Sequence, residues 1–111
     1  MLKTKKEILN FLKLINININ NYSLKQDKEN NFLVSVFGDV NISKMNLKEI
    51  PIQFDSVDGD FACFENELTS LTGSPRYVEG TFNCERNSLK SLIGSPITIK
   101  EHFRHVSYIT K

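Results

Sequence analysis

Hydrophobic and polar residues recur with a period of 21 along the second half of the chain. Residues 59 to 79 (GDFACFENELTSLTGSPRYVE) and residues 80 to 100 (GTFNCERNSLKSLIGSPITIK) are identical at ten of their 21 positions. The alternation around the Phe and the Cys predicts a short β-strand, and the rest of each unit predicts turns and a return path. One unit cannot bury its own apolar side, so we expect the units to stack about 4.8 Å apart as a parallel sheet. The expected core columns are Phe61 and Phe82, Cys63 and Cys84, Leu68 and Leu89, Leu71 and Leu92, and Val78 and Ile99.

The Asn column and the Gly column of the repeat also have a structural explanation. A turn inside a solenoid buries backbone groups that have no partner in a sheet, and a carboxamide can both donate to and accept from such groups. We therefore expect Asn66 and Asn87 to bracket the turns of their units. Gly59 and Gly80 are expected where the backbone conformation or a close approach excludes a Cβ.

The repeat continues in weaker form in both directions. Residues 38 to 58 keep the glycine and apolar columns, but Met45 replaces the Asn and Phe54 replaces the Pro, which is expected to weaken the polar bracket of this first unit. Residues 101 to 111 place Phe103 in the Phe column and His105 in the Cys column. The prediction is three repeats over residues 38 to 100 and a partial C-terminal repeat over 101 to 111.

Residues 1 to 37 predict a helix and a β-hairpin. Ile8, Leu12 and Ile15 lie on one helical face, and Thr4 and Glu7 have the spacing of a capping box. The segments 22 to 25 and 32 to 37 predict two strands joined by a polar loop. We expect this helix and hairpin to cap one end of the solenoid. A helix lying on a membrane surface is the alternative, given its basic residues Lys3, Lys5, Lys6 and Lys13.

The opposite end of the predicted solenoid is less well covered. Phe103, Val106, Tyr108 and Ile109 could form a ragged cap, an edge for self-association or part of a binding surface. The fold class expected for the whole chain is α+β, a single domain of residues 1 to 111 built as a short parallel β solenoid.

Composition narrows the function classes. The chain has 111 residues and a formal net charge of +1, with +2 over residues 1 to 55 (8 basic, 6 acidic) and −1 over 56 to 111 (6 basic, 7 acidic). This balance disfavours a dedicated nucleic-acid binder, and the length disfavours a two-domain enzyme. No membrane span or signal peptide is recognised, and the two cysteines favour a reducing, cytoplasmic location.

The run Phe82-x-Cys84-x-x-Asn87-x-Leu89-x-x-Leu92 resembles the leucine-rich repeat. Its period of 21 with L-x-S-L followed by Pro is similar to the short bacterial subtype found in secreted effectors and in small bacteriophage proteins. The resemblance covers residues 38 to 106. It implies a curved solenoid whose strands line a concave face that grips another macromolecule. Bacterial effectors of this type often append a ubiquitin-ligase domain with a catalytic Cys, for which this chain has no room.

The residues give no positive indication of catalysis. Cys63 and Cys84 fall in an inward column, where we expect two reduced core thiols, with a disulfide or a metal site as the minor alternatives. His102 and His105 have no nucleophile or carboxylate placed beside them by the sequence. The turns at residues 73 to 75 and 94 to 96 lack the Lys and the following helix of a phosphate-binding loop. We expect no enzyme activity, no cofactor and no metal.

The outward strand positions are the best candidates for a binding site. Strand alternation places residues on either side of the Phe and Cys columns on the solvent face, and this face is mixed and mildly acidic. Phe64 is a large aromatic residue among polar neighbours, as in an interface anchor, although a lone exposed aromatic is also common. The predicted partner-binding residues are Asp60, Phe64, Asn83, Glu85, His102 and Arg104.

These features lead to one functional expectation and one alternative. The expectation is a non-catalytic module, encoded by a phage or mobile element, that binds one protein and acts as a stoichiometric inhibitor of a bacterial defence complex, as anti-CRISPR proteins do. The choice of target depends on the resemblance alone. The alternative is a structural protein of a phage or bacterium that self-assembles through its C-terminal end.

Overall fold

The N-terminal helix α1 spans Lys5–Leu14 in the computed structural model of the chain, which describes residues 1–104. The capping box is confirmed, because the Glu7 backbone N–H donates to Thr4 Oγ1 at 3.2 Å and the Thr4 N–H donates to Glu7 Oε1 at 3.1 Å. Ile8, Phe11 and Leu12 are buried against the rest of the molecule. The apolar residues Ile8, Phe11 and Leu12 of α1 are therefore packed on the protein core, which supports the cap, and Leu14 is the large hydrophobic residue of this helix that stays exposed.

The predicted hairpin is also confirmed. Strands β1 (Tyr22–Gln26) and β2 (Phe32–Val36) pair in antiparallel register, with Tyr22 opposite Val36. Asp27 shapes the connecting loop, because its Oδ1 accepts the N–H groups of Glu29 at 2.8 Å and Asn31 at 3.0 Å. The hydrogen bond from the Asn31 N–H is the main reason that the pKa of Asp27 is lowered.

Seven further short strands follow within residues 1–104, and they form two sheets. They are β3 (Val40–Asn41), β4 (Phe54–Val57), β5 (Phe61–Ala62), β6 (Tyr77–Val78), β7 (Phe82–Asn83), β8 (Thr98–Ile99) and β9 (Phe103–Arg104). The sheet predicted from the sequence is the four-stranded one, in the order β3-β5-β7-β9. The second has the order β1-β2-β4-β6-β8. The residues assigned to a return path thus form a second parallel sheet, and β2 of the cap continues directly into it.

The phenylalanine column forms the centre of the core. Phe61 lies directly beside Phe82 in the register, and Phe82 lies beside Phe103. The ring centroids are 5.5 Å apart in both pairs, with the first pair nearly parallel and the second edge-on. Phe54 from the other sheet meets Phe61 edge-on at 5.1 Å. The stacking of these rings confirms an α+β solenoid of about three turns.

The asparagine bracket is confirmed, and it reaches further than predicted. Asn66 Nδ2 donates to the Cys63 carbonyl in its own turn at 3.1 Å and to the Ile42 carbonyl in the turn before at 2.9 Å. Its Oδ1 accepts the N–H groups of Met45 and Leu47, both at 3.0 Å. The first turn is thus closed by the Asn of the second. Met45 removes one donor from the first bracket, since the Ile42 carbonyl accepts one carboxamide N–H where the Cys63 carbonyl accepts two, from Asn66 and Asn87. The bracket persists because one carboxamide spans two adjacent turns.

Candidate protein-binding surface

The six predicted binding residues all belong to the outer surface of the four-stranded sheet, which we call the front face. Asp60 and His102 precede the inward Phe61 and Phe103, and Asn83 and Arg104 are paired in register on β7 and β9. Phe64 and Glu85 occupy corresponding positions after β5 and β7. Asp60, His102 and Arg104 are exposed, and the other three are half-buried. Repeat stacking therefore brings the predicted set together on one surface.

Asp60 has a structural task that the sequence did not indicate. Its Oδ1 accepts the Thr81 N–H at 2.8 Å, as Asp39 Oδ1 accepts the Asp60 N–H at 2.8 Å one turn earlier. A Cβ on Gly59 would lie 2.6 Å from Asp39 Oδ1 and 2.6 Å from the Gly38 carbonyl oxygen. The Asp39 carboxylate thus occupies space that Gly59 leaves open. Asp60 contributes charge to the front face and also holds the next turn in place.

Phe64 lies beside a cation from the preceding turn. The Lys44 ammonium nitrogen is 5.9 Å from the centroid of the Phe64 ring, a distance typical of a cation–π contact. The Phe64 N–H donates to Ser43 Oγ at 3.2 Å. These contacts hold the ring in one position before a partner binds. Ordering the Phe64 side chain on binding therefore costs little further conformational entropy.

Ion pairs change the electrostatics predicted for the front face. Glu85 Oε1 lies 3.2 Å from Arg104 Nε, and Glu65 Oε1 lies 3.7 Å from Arg86 Nη1. The residue types alone predict a mildly acidic surface, but the carboxylates of Glu65 and Glu85 each lie next to a guanidinium from the following turn. The surface is therefore a patchwork of paired charges around Phe64, which suits a polar protein surface better than a polyanion.

A turn at the edge of the front face holds residues in the left-handed backbone region. Lys44, Glu65 and Arg86 have φ angles of 57°, 53° and 56°. Each follows the previous one by one repeat, so their side chains form a column of alternating charge. Glu65 is not among the binding residues predicted from the sequence, although the 21-residue offset alone places it between Lys44 and Arg86. Long side chains in this backbone region are uncommon and are held here by the turn.

Cys63 and Cys84 are free thiols in the core, as predicted. Burial raises the pKa of both, and that of Cys84 reaches about 12. A thiol that stays protonated at neutral pH is a poor nucleophile and a poor metal ligand. Within residues 1–104 no group of three or more His, Cys, Asp or Glu side chains is arranged to hold a metal ion. The predicted positions His105, Val106, Tyr108 and Ile109 lie outside the described residues.

None of the helices in residues 1–104 has the length and hydrophobicity that crossing a bilayer requires. Comparison with protein-family models, curated proteins and solved structures gave no significant match to the chain. What the chain does must therefore be inferred from its own residues.

Proposed function

We propose that the chain is a non-catalytic protein-binding module that docks one partner on its front face. The observation that supports this most directly is Phe64, a half-buried aromatic ring on the same face as the ion pairs Glu85–Arg104 and Glu65–Arg86. Aromatic and arginine side chains dominate the energetics of protein interfaces. Short strands in register fix the spacing of these groups, so docking requires little rearrangement of the backbone.

We further propose that the chain belongs to the short bacterial or phage type of leucine-rich repeat and inhibits a bacterial defence complex, such as a CRISPR effector, in the host cytoplasm. The 21-residue units with their Phe, Cys, Asn and Leu columns support the kinship. A small rigid domain can inhibit by occupying a surface that the target complex needs. Inhibition would then follow the molar ratio of the two proteins, with no turnover.

The test combines binding with inhibition. Purified CRISPR effector complexes are titrated with the chain, and target-DNA cleavage is measured against the molar ratio. We expect inhibition to saturate near one chain per binding site. Phe64→Ala and Glu85→Arg should each weaken binding by about thirtyfold, the size of an interface hot spot. Lys90→Ala, an exposed turn position away from the front face, serves as the matched control and should bind like the parent.

Thermal melts of the same variants separate binding from folding. The front-face substitutions should leave the melting temperature nearly unchanged, because neither side chain is part of the buried core. If both variants keep full affinity for a bound effector, the front face is the wrong surface. If no effector complex binds the chain at all, the proposed target class is wrong.

A second candidate function, self-assembly, is favoured by one specific observation. Ile93 and Ile97 in the last full turn are 68% and 73% exposed, whereas the same columns one turn earlier hold Thr72 and Arg76. An apolar surface of this kind can mediate contacts between copies. Light scattering over a wide concentration range tests it, because a mass that stays monomeric throughout would remove this candidate.

A further inference from the structure

The outer surface of the five-stranded sheet, which we call the back face, carries a groove of about 340 Å³. Strand β4 forms its floor, because the sheet order places β2 on one side of β4 and β6 on the other. Val57 is paired with Val36 and Val78, and all three valines are buried. Their chain neighbours therefore point outward, with Phe37 after β2, Ser56 and Asp58 on either side of Val57, and Tyr77 and Glu79 on either side of Val78.

The two aromatic rings of the groove are unusually accessible. Phe37 is 56% exposed and Tyr77 is 50% exposed. In the register of the sheet, Tyr77 lies between Ser56 and Thr98, whose small side chains cannot cover a phenol ring. Phe37 and Asp58 directly follow the paired residues Val36 and Val57, so the register extended by one residue places them side by side. The walls of the groove are thus aromatic, and its floor is small and polar.

Strand spacing determines what fits between the walls. Neighbouring strands lie about 4.8 Å apart, so β2 and β6, two steps apart, are separated by roughly 9.6 Å. A flat group held between two rings needs two van der Waals separations of about 3.5–4 Å each. Phe37 and Tyr77 are also offset by two residues along the strands, because Phe37 follows the pair Val36–Val57 whereas Tyr77 is paired with Ser56. The two rings therefore flank the groove diagonally and leave room for a planar group between them.

The charge of the groove is incompletely balanced. Glu79 is already paired with Lys100, whose Nζ lies 3.3 Å from Glu79 Oε2. Asp58 is exposed, and within residues 1–104 no side chain forms an ion pair or hydrogen bond with its carboxylate. On the front face, the aromatic Phe64 has the cation of Lys44 over its ring. Among the described residues, Phe37 and Tyr77 have no such cation.

We propose that this groove is a second docking site that binds an arginine side chain from a basic segment of a partner protein. The guanidinium lies between Phe37 and Tyr77 and donates hydrogen bonds to the Asp58 carboxylate. Arginine suits the site better than lysine, because a planar guanidinium can stack on aromatic rings while its edge donates two parallel hydrogen bonds to a carboxylate. The site belongs to the other sheet and is independent of the front-face function proposed above.

The test is an NMR titration of ¹⁵N-labelled full-length chain with the peptide acetyl-Gly-Arg-Gly-Arg-Gly-amide. The matched probe replaces each Arg with citrulline, which keeps the shape and removes the charge. We expect saturable shifts of the Phe37, Asp58 and Tyr77 amides with the arginine peptide and much smaller shifts with citrulline. Asp58→Asn and Phe37→Ala should each weaken binding by about fivefold.

Control variants distinguish this site from general electrostatics and from the front face. Glu67→Gln removes an exposed carboxylate away from the groove and should leave peptide binding unchanged, as should Phe64→Ala. Absence of saturable shifts at the groove overturns the proposal, and so does an equal loss of affinity in Glu67→Gln and Asp58→Asn. If the free chain forms a dimer that Phe37→Ala dissociates, the occupant is a second copy and the proposal of a separate partner is wrong.

Discussion

Replacing Asn66 with Ala tests the central structural feature of the repeat. The side chain is 8% exposed and makes four hydrogen bonds to backbone groups, two as acceptor and two as donor. Alanine retains none of them. The substitution therefore leaves the N–H groups of Met45 and Leu47 and the carbonyl of Ile42 without their side-chain partner, while it removes little apolar surface from the core. The Cys63 carbonyl keeps one side-chain donor, because Asn87 Nδ2 also donates to it at 2.9 Å.

The magnitude follows from the number of bonds. A hydrogen bond contributes about 1 kcal/mol net, and a buried group left without a partner costs about 1–3 kcal/mol. Because the site is close enough to the surface for water to satisfy part of the turn, we expect a loss of about 3–4 kcal/mol in the free energy of unfolding. For a chain of this size that lowers the melting temperature by roughly 15 °C.

Urea titration followed by circular dichroism measures this loss. Asn10→Ala is the matched control, because Asn10 is an exposed residue within α1 and alanine is the better helix former. The control should equal or slightly exceed the parent in stability. If Asn66→Ala lies within about 1 kcal/mol of the control, the bracket is not a major source of stability and the reasoning fails.

Three other predictions follow from the core. Leu68→Ala should cost about 2–5 kcal/mol in urea titrations, because Leu68 is fully buried, and a cost below 1 kcal/mol would contradict the stacked core. Gly59→Ala should cost about 1–3 kcal/mol, since its Cβ would lie 2.6 Å from the Gly38 backbone, and an unchanged melting temperature would contradict that contact. Burial raises the pKa of Cys84 to about 12, so the unfolded chain loses this proton first and stability falls as pH rises above about 8.5. Cys84→Ala should make the decline between pH 8 and 10 shallower in urea titrations, and an unchanged slope would count against a buried thiol.

The core of the fold could be predicted because each turn repeats the same chemistry. The columns of Phe61 and Asn66 recur at a fixed offset, and that offset alone gives the register of the four-stranded sheet. The second sheet was missed for a physical reason. Phe61 and Cys63 form an apolar alternation that marks their strand, whereas Val78 has Arg76 and Gly80 two residues away and so shows no such alternation.

The candidate sites could also be predicted from the sequence only in part. Alternation along a strand is enough to place Asp60 and Glu85 on the solvent side. It does not reveal that the Asp60 carboxylate accepts a backbone N–H or that the Glu85 carboxylate forms an ion pair with Arg104. The back-face groove could not be predicted at all. It exists because Phe37 of the cap and Tyr77 of a repeat flank the same strand, and that proximity depends on the pairing of β2 with β4.

The reach of each asparagine into the preceding turn also bears on how such a gene can change. Asn87 donates to the Cys63 carbonyl of the earlier turn at 2.9 Å as well as to Cys84 of its own, repeating the arrangement of Asn66. A tandem duplication of one unit would add one Asn side chain. That side chain would bind backbone groups of the new turn and of the turn before it. Recombination within the coding sequence could therefore widen the docking area by one row at a time without any compensating substitution.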